Sequence, residues 1–153
     1  MNIPILVLLA FAAWTLLILS ATIGVNRWRL IVTGAASVAE WRADLPQGSE
    51  WYQRAMRAHM NCVENLPVYT AVVFAVTAIG LKSATVDTLA MTLLAARIGQ
   101  TLVHIALPPT NKAASLRFAL FAVQVVCMIS MAVLTAVHAA HWISECSCNH
   151  DLV

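Results

Sequence analysis

The chain has 153 residues, 61% of them hydrophobic and 10% charged, with a net charge of +2. Water-soluble domains of this size carry roughly 25% charged residues, so the composition excludes one, and so small a net charge gives no ground for a nucleic-acid partner. The apolar residues fall in blocks at 3–25, 62–81, 88–107 and 118–143. About 20 such residues cross a bilayer. The expected fold is therefore an all-α integral membrane protein, a four-transmembrane-helix bundle forming one domain over 1–153, with helices near 3–26, 50–81, 86–107 and 112–143.

The first block, IPILVLLAFAAWTLLILSATIGV, contains no charge. It lacks a basic leader and a small-x-small cleavage site, and it exceeds the ordinary apolar core of a signal peptide. It is read as a retained span. The connection that follows holds Arg27, Arg29 and Arg42, with Arg54 and Arg57 at its far end, and Trp41, Trp51 and Tyr52 suit the membrane interface. Pro46 and Gly48 mark a turn, and Ser49 with Tyr52 gives half a capping box for a second helix starting near 50. The next connection sets Lys82 against Asp87, and the last one carries Lys112 with Arg117 close behind it. There Asn111 or Thr110 is placed to cap the final helix. Basic weight on the first and third connections puts both on the cytoplasmic side. Both termini of this multi-pass protein are then expected outside.

The spans are not uniformly apolar. At about 100° per residue, Arg54, Arg57, Asn61, Glu64 and Asn65 of the second helix fall within an arc of roughly 100°. Each intramembrane charge costs at least ~2.5–3.5 kcal/mol at a helix centre, so such residues carry a functional hypothesis by default. In the third helix, Arg97, Gln100, Thr101 and His104 stand at i, i+3, i+4 and i+7, and in the fourth Gln124 lies seven residues after Arg117. Lipid receives none of these faces, so they must meet one another or a neighbouring subunit.

A structural ion-pair network is one reading, with Glu64 paired to Arg97. The charges do not balance, however. Arg54, Arg57, Arg97 and Arg117 share one end of the bundle with a single intramembrane carboxylate, Glu64. Arg27 and Arg29 add to the excess, although Arg29 and Arg42 are explained by snorkelling to anionic headgroups. Surplus arginine in a half-buried site points to an anion from outside the protein, and paired hydrogen bonds make a carboxylate the fitting one.

Cys62 and Cys127 lie in spans and read as small apolar residues. Cys146 and Cys148, near His141 and His150, form a C-x-C pair that lacks the spacing of common zinc sites. The tail is read as a mobile end rather than a metal site.

The run R-A-H-M-N-C-V-E-N-L-P at 57–67 resembles the signature of the MAPEG family, the membrane-associated proteins in eicosanoid and glutathione metabolism. Ala96–Arg97 and S-L-R-F at 115–118 resemble two further landmarks of that family. The likeness is to a bacterial-type member similar to the microsomal glutathione transferases, which implies a bacterial inner membrane. It also implies a homotrimer with glutathione between subunits, toward the cytoplasmic side. By position, Arg54, Arg57, Asn61 and Glu64 would bind the tripeptide, with Asn65, Arg27, Arg97 and His104 as further candidates. Arg117 would stabilise its thiolate. Two departures stand out: His104 occupies a place where many relatives carry a tyrosine, and Phe118 replaces the serine or aspartate of prostaglandin-synthase-like members. The second argues against eicosanoid isomerisation. His104 either donates to the tripeptide or is a core histidine, and Glu64 either pairs with Arg97 or anchors the ligand's amine.

The implied activity is a glutathione transferase or peroxidase acting on a lipophilic electrophile or lipid hydroperoxide from the bilayer. The competing readings are a non-catalytic protein of the same fold that binds a lipid or partner protein, and an unrelated four-helix transporter or scaffold. A transporter needs a polar path through the whole membrane. Helix one and the outer halves of helices two and four are almost purely apolar, with His138 and His141 near the outer end of the last span as the exceptions.

Overall fold

The computed structural model describes residues 2–35 and 48–150, with side chains as far as Trp142 and at Ser144. Arg42 and Trp41 lie outside the described residues, as do the side chains of Cys146, Cys148 and His150. The described chain is helical throughout: α1 (Ile3–Ile18), a π-helical turn (Leu19–Gly24), α2 (Val25–Val32), α3 (Glu50–Ala78), α4 (Ala84–Ala106) and α5 (Asn111–His150).

Three stretches are long and apolar enough to cross a membrane, Ile3–Val32, Ala84–Ala106 and Asn111–Trp142. α3 is the fourth helix of the bundle. Its 29 residues would reach about 43 Å, but its polar stripe dilutes the hydropathy that marks the other three. Every helix exposes large apolar side chains, among them Leu9, Phe74, Met91 and Val137, each more than half exposed. A surface of that kind is stable against lipid or another subunit, not against water.

The first helix departs from its expected end at 26. It passes through the π turn and continues as α2 to Val32, so Arg27 and Arg29 sit on a helix rather than in a loop. Gly34 ends it at φ 67°, where Ala35 N–H donates to Leu30 O (2.9 Å) and Gly34 N–H to Ile31 O (3.0 Å). That is a Schellman cap, whose left-handed position glycine occupies without strain. Gly80 closes α3 in the same way at φ 66°, with Leu81 N–H on Val76 O (3.1 Å). It stops the helix at Ala78, short of the expected 81.

Packing follows helical periodicity. α1 buries Val7, Phe11, Thr15 and Ile18 on one stripe. α3 turns Ala55, Ala58 and Cys62 inward, each at most 1% exposed, and small residues of this kind let neighbouring backbones approach. The core is completed by Tyr69 and Val73 of α3, Ala90 and Leu93 of α4, and Cys127 and Met131 of α5. Hydroxyls within the spans bond to the carbonyl four residues back, as Thr15 does to Phe11 O (2.9 Å) and Thr135 to Met131 O (2.7 Å). These hydroxyls are thereby satisfied within their own helices. α4 and α5 share the most extensive contact, while α3 packs on α1, α4 and α5.

Candidate functional site

The beginning of α3, the end of α4 and the beginning of α5 converge at one end of the bundle. Ser49 starts α3 by accepting from Tyr52 N–H at 3.3 Å. Thr110, rather than Asn111, caps α5 by accepting from Ala113 N–H at 3.2 Å. These caps fix the first turns that bear Arg54, Arg57 and Arg117. Arg54 Nε then donates to Ile105 O on the last turn of α4 (3.4 Å), tying α3 to α4.

A cavity of about 190 Å³ opens where these ends meet, lined by Glu50, Gln53, Arg54, Arg57, His104, Pro109 and Arg117. Three guanidinium groups thus face one carboxylate. Among the described residues the one ion pair there, Arg54 to Glu50, is long at 3.9 Å, and the Glu50 side chain is 91% exposed. Such a pair contributes little, so the cavity keeps an excess of positive charge.

His104 sits at the junction of the helices. Its Nδ1 lies 3.2 Å from Arg117 NH1, and its Nε2 lies 3.2 Å from the Asn61 amide. Arg117 also donates from Nε to Ala113 O at 3.1 Å. Two of the five guanidinium N–H groups are then engaged, and the other three have no partner among the described residues. Asn65 donates to the Asn61 carbonyl at 2.8 Å and stays on the α3 stripe without lining the cavity.

Arg97 lies elsewhere. It is 1% exposed, stacked 5.4 Å above the Phe11 ring, and donates through NH1 to Gln100 Oε1 at 2.9 Å. Gln100 in turn donates to Arg117 O (3.2 Å), and Gln124 donates to both Gln100 Oε1 (3.2 Å) and Leu120 O (2.8 Å). Among the described residues Glu64 and Arg97 form no direct salt bridge, although Glu64 lies near enough to act on Arg97 electrostatically. Glu64 is exposed on α3, and the Phe11 ring and Gln100 make the direct contacts to the buried cation. Arg27 donates from Nε to Tyr52 OH at 2.8 Å, which fixes the end of the first span to the start of α3, and it does not line the cavity.

The model of the MAPEG family matches residues 4–137, nearly the whole chain. The chain belongs to the MAPEG family. Its match runs through all four bundle helices of this MAPEG protein and includes every cavity-lining residue. No curated protein sequence matches it.

Of the site residues expected from sequence, the cavity gathers Arg54, Arg57, His104 and Arg117, with Asn61 reached through His104. Arg27, Glu64, Asn65 and Arg97 lie outside it. Glu50, Gln53 and Pro109 are lining residues that the sequence reading missed. The signal was present for two of them: relative to Arg57, Glu50 falls at about 20° two turns earlier and Gln53 at about −40° one turn earlier, on or beside the same stripe. Pro109 enters through the α4–α5 turn, where no periodicity points to it.

Proposed function

We propose that this chain is a membrane-bound, glutathione-dependent transferase, with peroxidase activity toward lipid hydroperoxides as a second use of the same thiolate. What carries the reading is the cavity in which Arg54, Arg57 and Arg117 face a single exposed carboxylate. Glutathione presents two carboxylates, an amine and a thiol. A site for it therefore wants guanidinium forks for the carboxylates, one acceptor for the amine and one cation for sulfur.

In this reading Arg54 and Arg57 hold the carboxylates, Glu50 accepts from the amine, and Arg117 lies against the sulfur. A free thiol has a pKa near 8.5 and is mostly protonated at neutral pH. A guanidinium beside it favours the thiolate, which is the nucleophile. The thiolate then forms a carbon–sulfur bond to a lipophilic electrophile that arrives through the bilayer, whose leaving group departs with the electron pair. Glu64 and Arg57, exposed on the single chain, are polar groups on a helix that otherwise faces lipid or protein. Their exposure supports a homotrimer in which a neighbouring subunit covers them and completes the tripeptide site. The basic end of the bundle is assigned to the cytoplasmic side and both termini to the outside.

Purified protein in detergent should conjugate glutathione to an activated aryl halide and reduce an alkyl hydroperoxide. R54A and R57A should each raise the KM for glutathione far more than they lower kcat. Absence of both activities, with glutathione still bound, would leave a binding protein rather than an enzyme.

A further inference from the structure

We infer that His104 is the positioning residue for Arg117, holding its guanidinium against the ligand's sulfur through Nδ1 while Nε2 anchors the ring to α3. The inference rests on the reading of Arg117 as the partner of the glutathione sulfur, and goes beyond it by giving one imidazole two separable jobs.

The geometry fixes the tautomer. An arginine only donates, so the Nδ1 that meets Arg117 NH1 at 3.2 Å carries the lone pair. A neutral ring with its lone pair on Nδ1 bears its hydrogen on Nε2. The Asn61 amide at 3.2 Å then presents Oδ1 to it, which differs from the placed amide by a flip alone. The ring is thus an acceptor for Arg117 and a donor to Asn61. A tyrosine hydroxyl at this position would have one oxygen for both partners, whereas imidazole offers two nitrogens aimed in different directions.

Arg117 would otherwise be loosely held. Among the described residues its guanidinium has, apart from His104, only the Nε bond to Ala113 O, one turn back on its own helix (3.1 Å). The bond from Gln100 reaches its backbone carbonyl and does not orient the side chain. Among the described residues His104 is therefore the one hydrogen-bond partner from another helix that sets where the guanidinium points. Its other nitrogen meets Asn61 of α3, the helix that carries Arg54 and Arg57.

Two near-isosteric substitutions separate the jobs. The Asn side-chain oxygen falls close to the Nδ1 position, so H104N keeps an acceptor for Arg117 and loses the contact with Asn61. Gln reaches the Nε2 position, so H104Q keeps the Asn61 contact and leaves Arg117 NH1 without its acceptor. Each protein is titrated with glutathione in detergent at neutral pH. Affinity is read from the thermal midpoint and thiolate from its ultraviolet band. H104N is expected to retain the thiolate signal of the wild-type protein. H104Q is expected to bind with similar affinity but with a roughly tenfold lower thiolate fraction, the size of a one-unit pKa change. If H104Q does not yield folded protein, H104A takes its place in the same contrast. Equal thiolate signals in H104N and H104Q, in proteins that bind, would overturn the positioning role alone. No binding by the wild-type protein would overturn the glutathione reading, and this inference with it.

Discussion

Arg117 and Arg97 show how the same side chain serves two ends in one membrane protein. Arg117 lines the cavity with three of its five N–H groups uncommitted. Arg97 is sealed in the core over Phe11, with Nε and NH2 lacking partners among the described residues. Replacement of each should therefore fail differently. R117A should keep tripeptide binding largely intact while the thiolate fraction of bound glutathione falls at least about tenfold, the lower end of what an adjacent cation shifts a pKa. Loss of binding itself would recast Arg117 as a carboxylate clamp. R97A should instead lower stability by about 3 kcal/mol, because it opens a cavity over Phe11 and removes one of the two donors to Gln100 Oε1. A fall in the thermal midpoint, with glutathione affinity unchanged in the folded fraction, would bear this out. Weaker affinity at an unchanged midpoint would place Arg97 in the binding site after all.

The elements matter because their ends carry the site. α3 begins at Ser49, and immediately before it Gly48 sits at φ 85°. A Cβ added there would stand 2.9 Å from Tyr52 Cδ1. G48A therefore combines a left-handed conformation unfavourable to alanine with a clash against the ring whose hydroxyl receives Arg27. We expect a cost of about 1 kcal/mol or more in stability, read as a lower thermal midpoint. S49A should cost about 1 kcal/mol through the lost cap and S49G only a few tenths. In both S49A and G48A, glutathione affinity should weaken in step with the midpoint, since the first turns of α3 position Arg54 and Arg57. An affinity that does not respond would detach the site from the start of α3.

Much of this was legible in the sequence, for identifiable reasons. Rotation along a helix placed Arg54, Arg57 and Asn61 together, because a periodicity of about 3.6 residues fixes direction whatever packs nearby. It put Arg97 on the same face as His104, one helix over, but could not say that depth would separate them. Arg97 is enclosed beside Phe11 of α1, whereas His104, two turns later, reaches the open end. Glu64 and Arg97 interact electrostatically without a direct salt bridge, for a related reason: charge complementarity says nothing of azimuth between helices, and Glu64 is exposed on the chain. The continuation of the first span into α2 was masked by Arg27 and Arg29, which end the apolar run without ending the helix.

Among the described residues Arg27, Arg54, Arg57 and Arg117 gather at one end of the bundle. Arg27 with Tyr52, Arg54 with Ile105, and Arg117 with His104 join the ends of the first span, α3, α4 and α5 in one small volume. That arrangement makes an anion the natural occupant, and MAPEG membership makes glutathione the specific one to test. Arg57 and Glu64 remain exposed on a single chain, so the assembled protein should be a trimer by mass in mild detergent. A charge reversal such as E64R should dissociate it or weaken it measurably; a stable monomer that binds glutathione fully would contradict that assembly. The central claim is tested most directly by titrating the purified wild-type protein with glutathione while following the thermal midpoint and the ultraviolet thiolate band together. The midpoint should rise with ligand concentration as mass action requires, and the thiolate band should grow in parallel at neutral pH. A midpoint that does not move at millimolar glutathione would contradict the account.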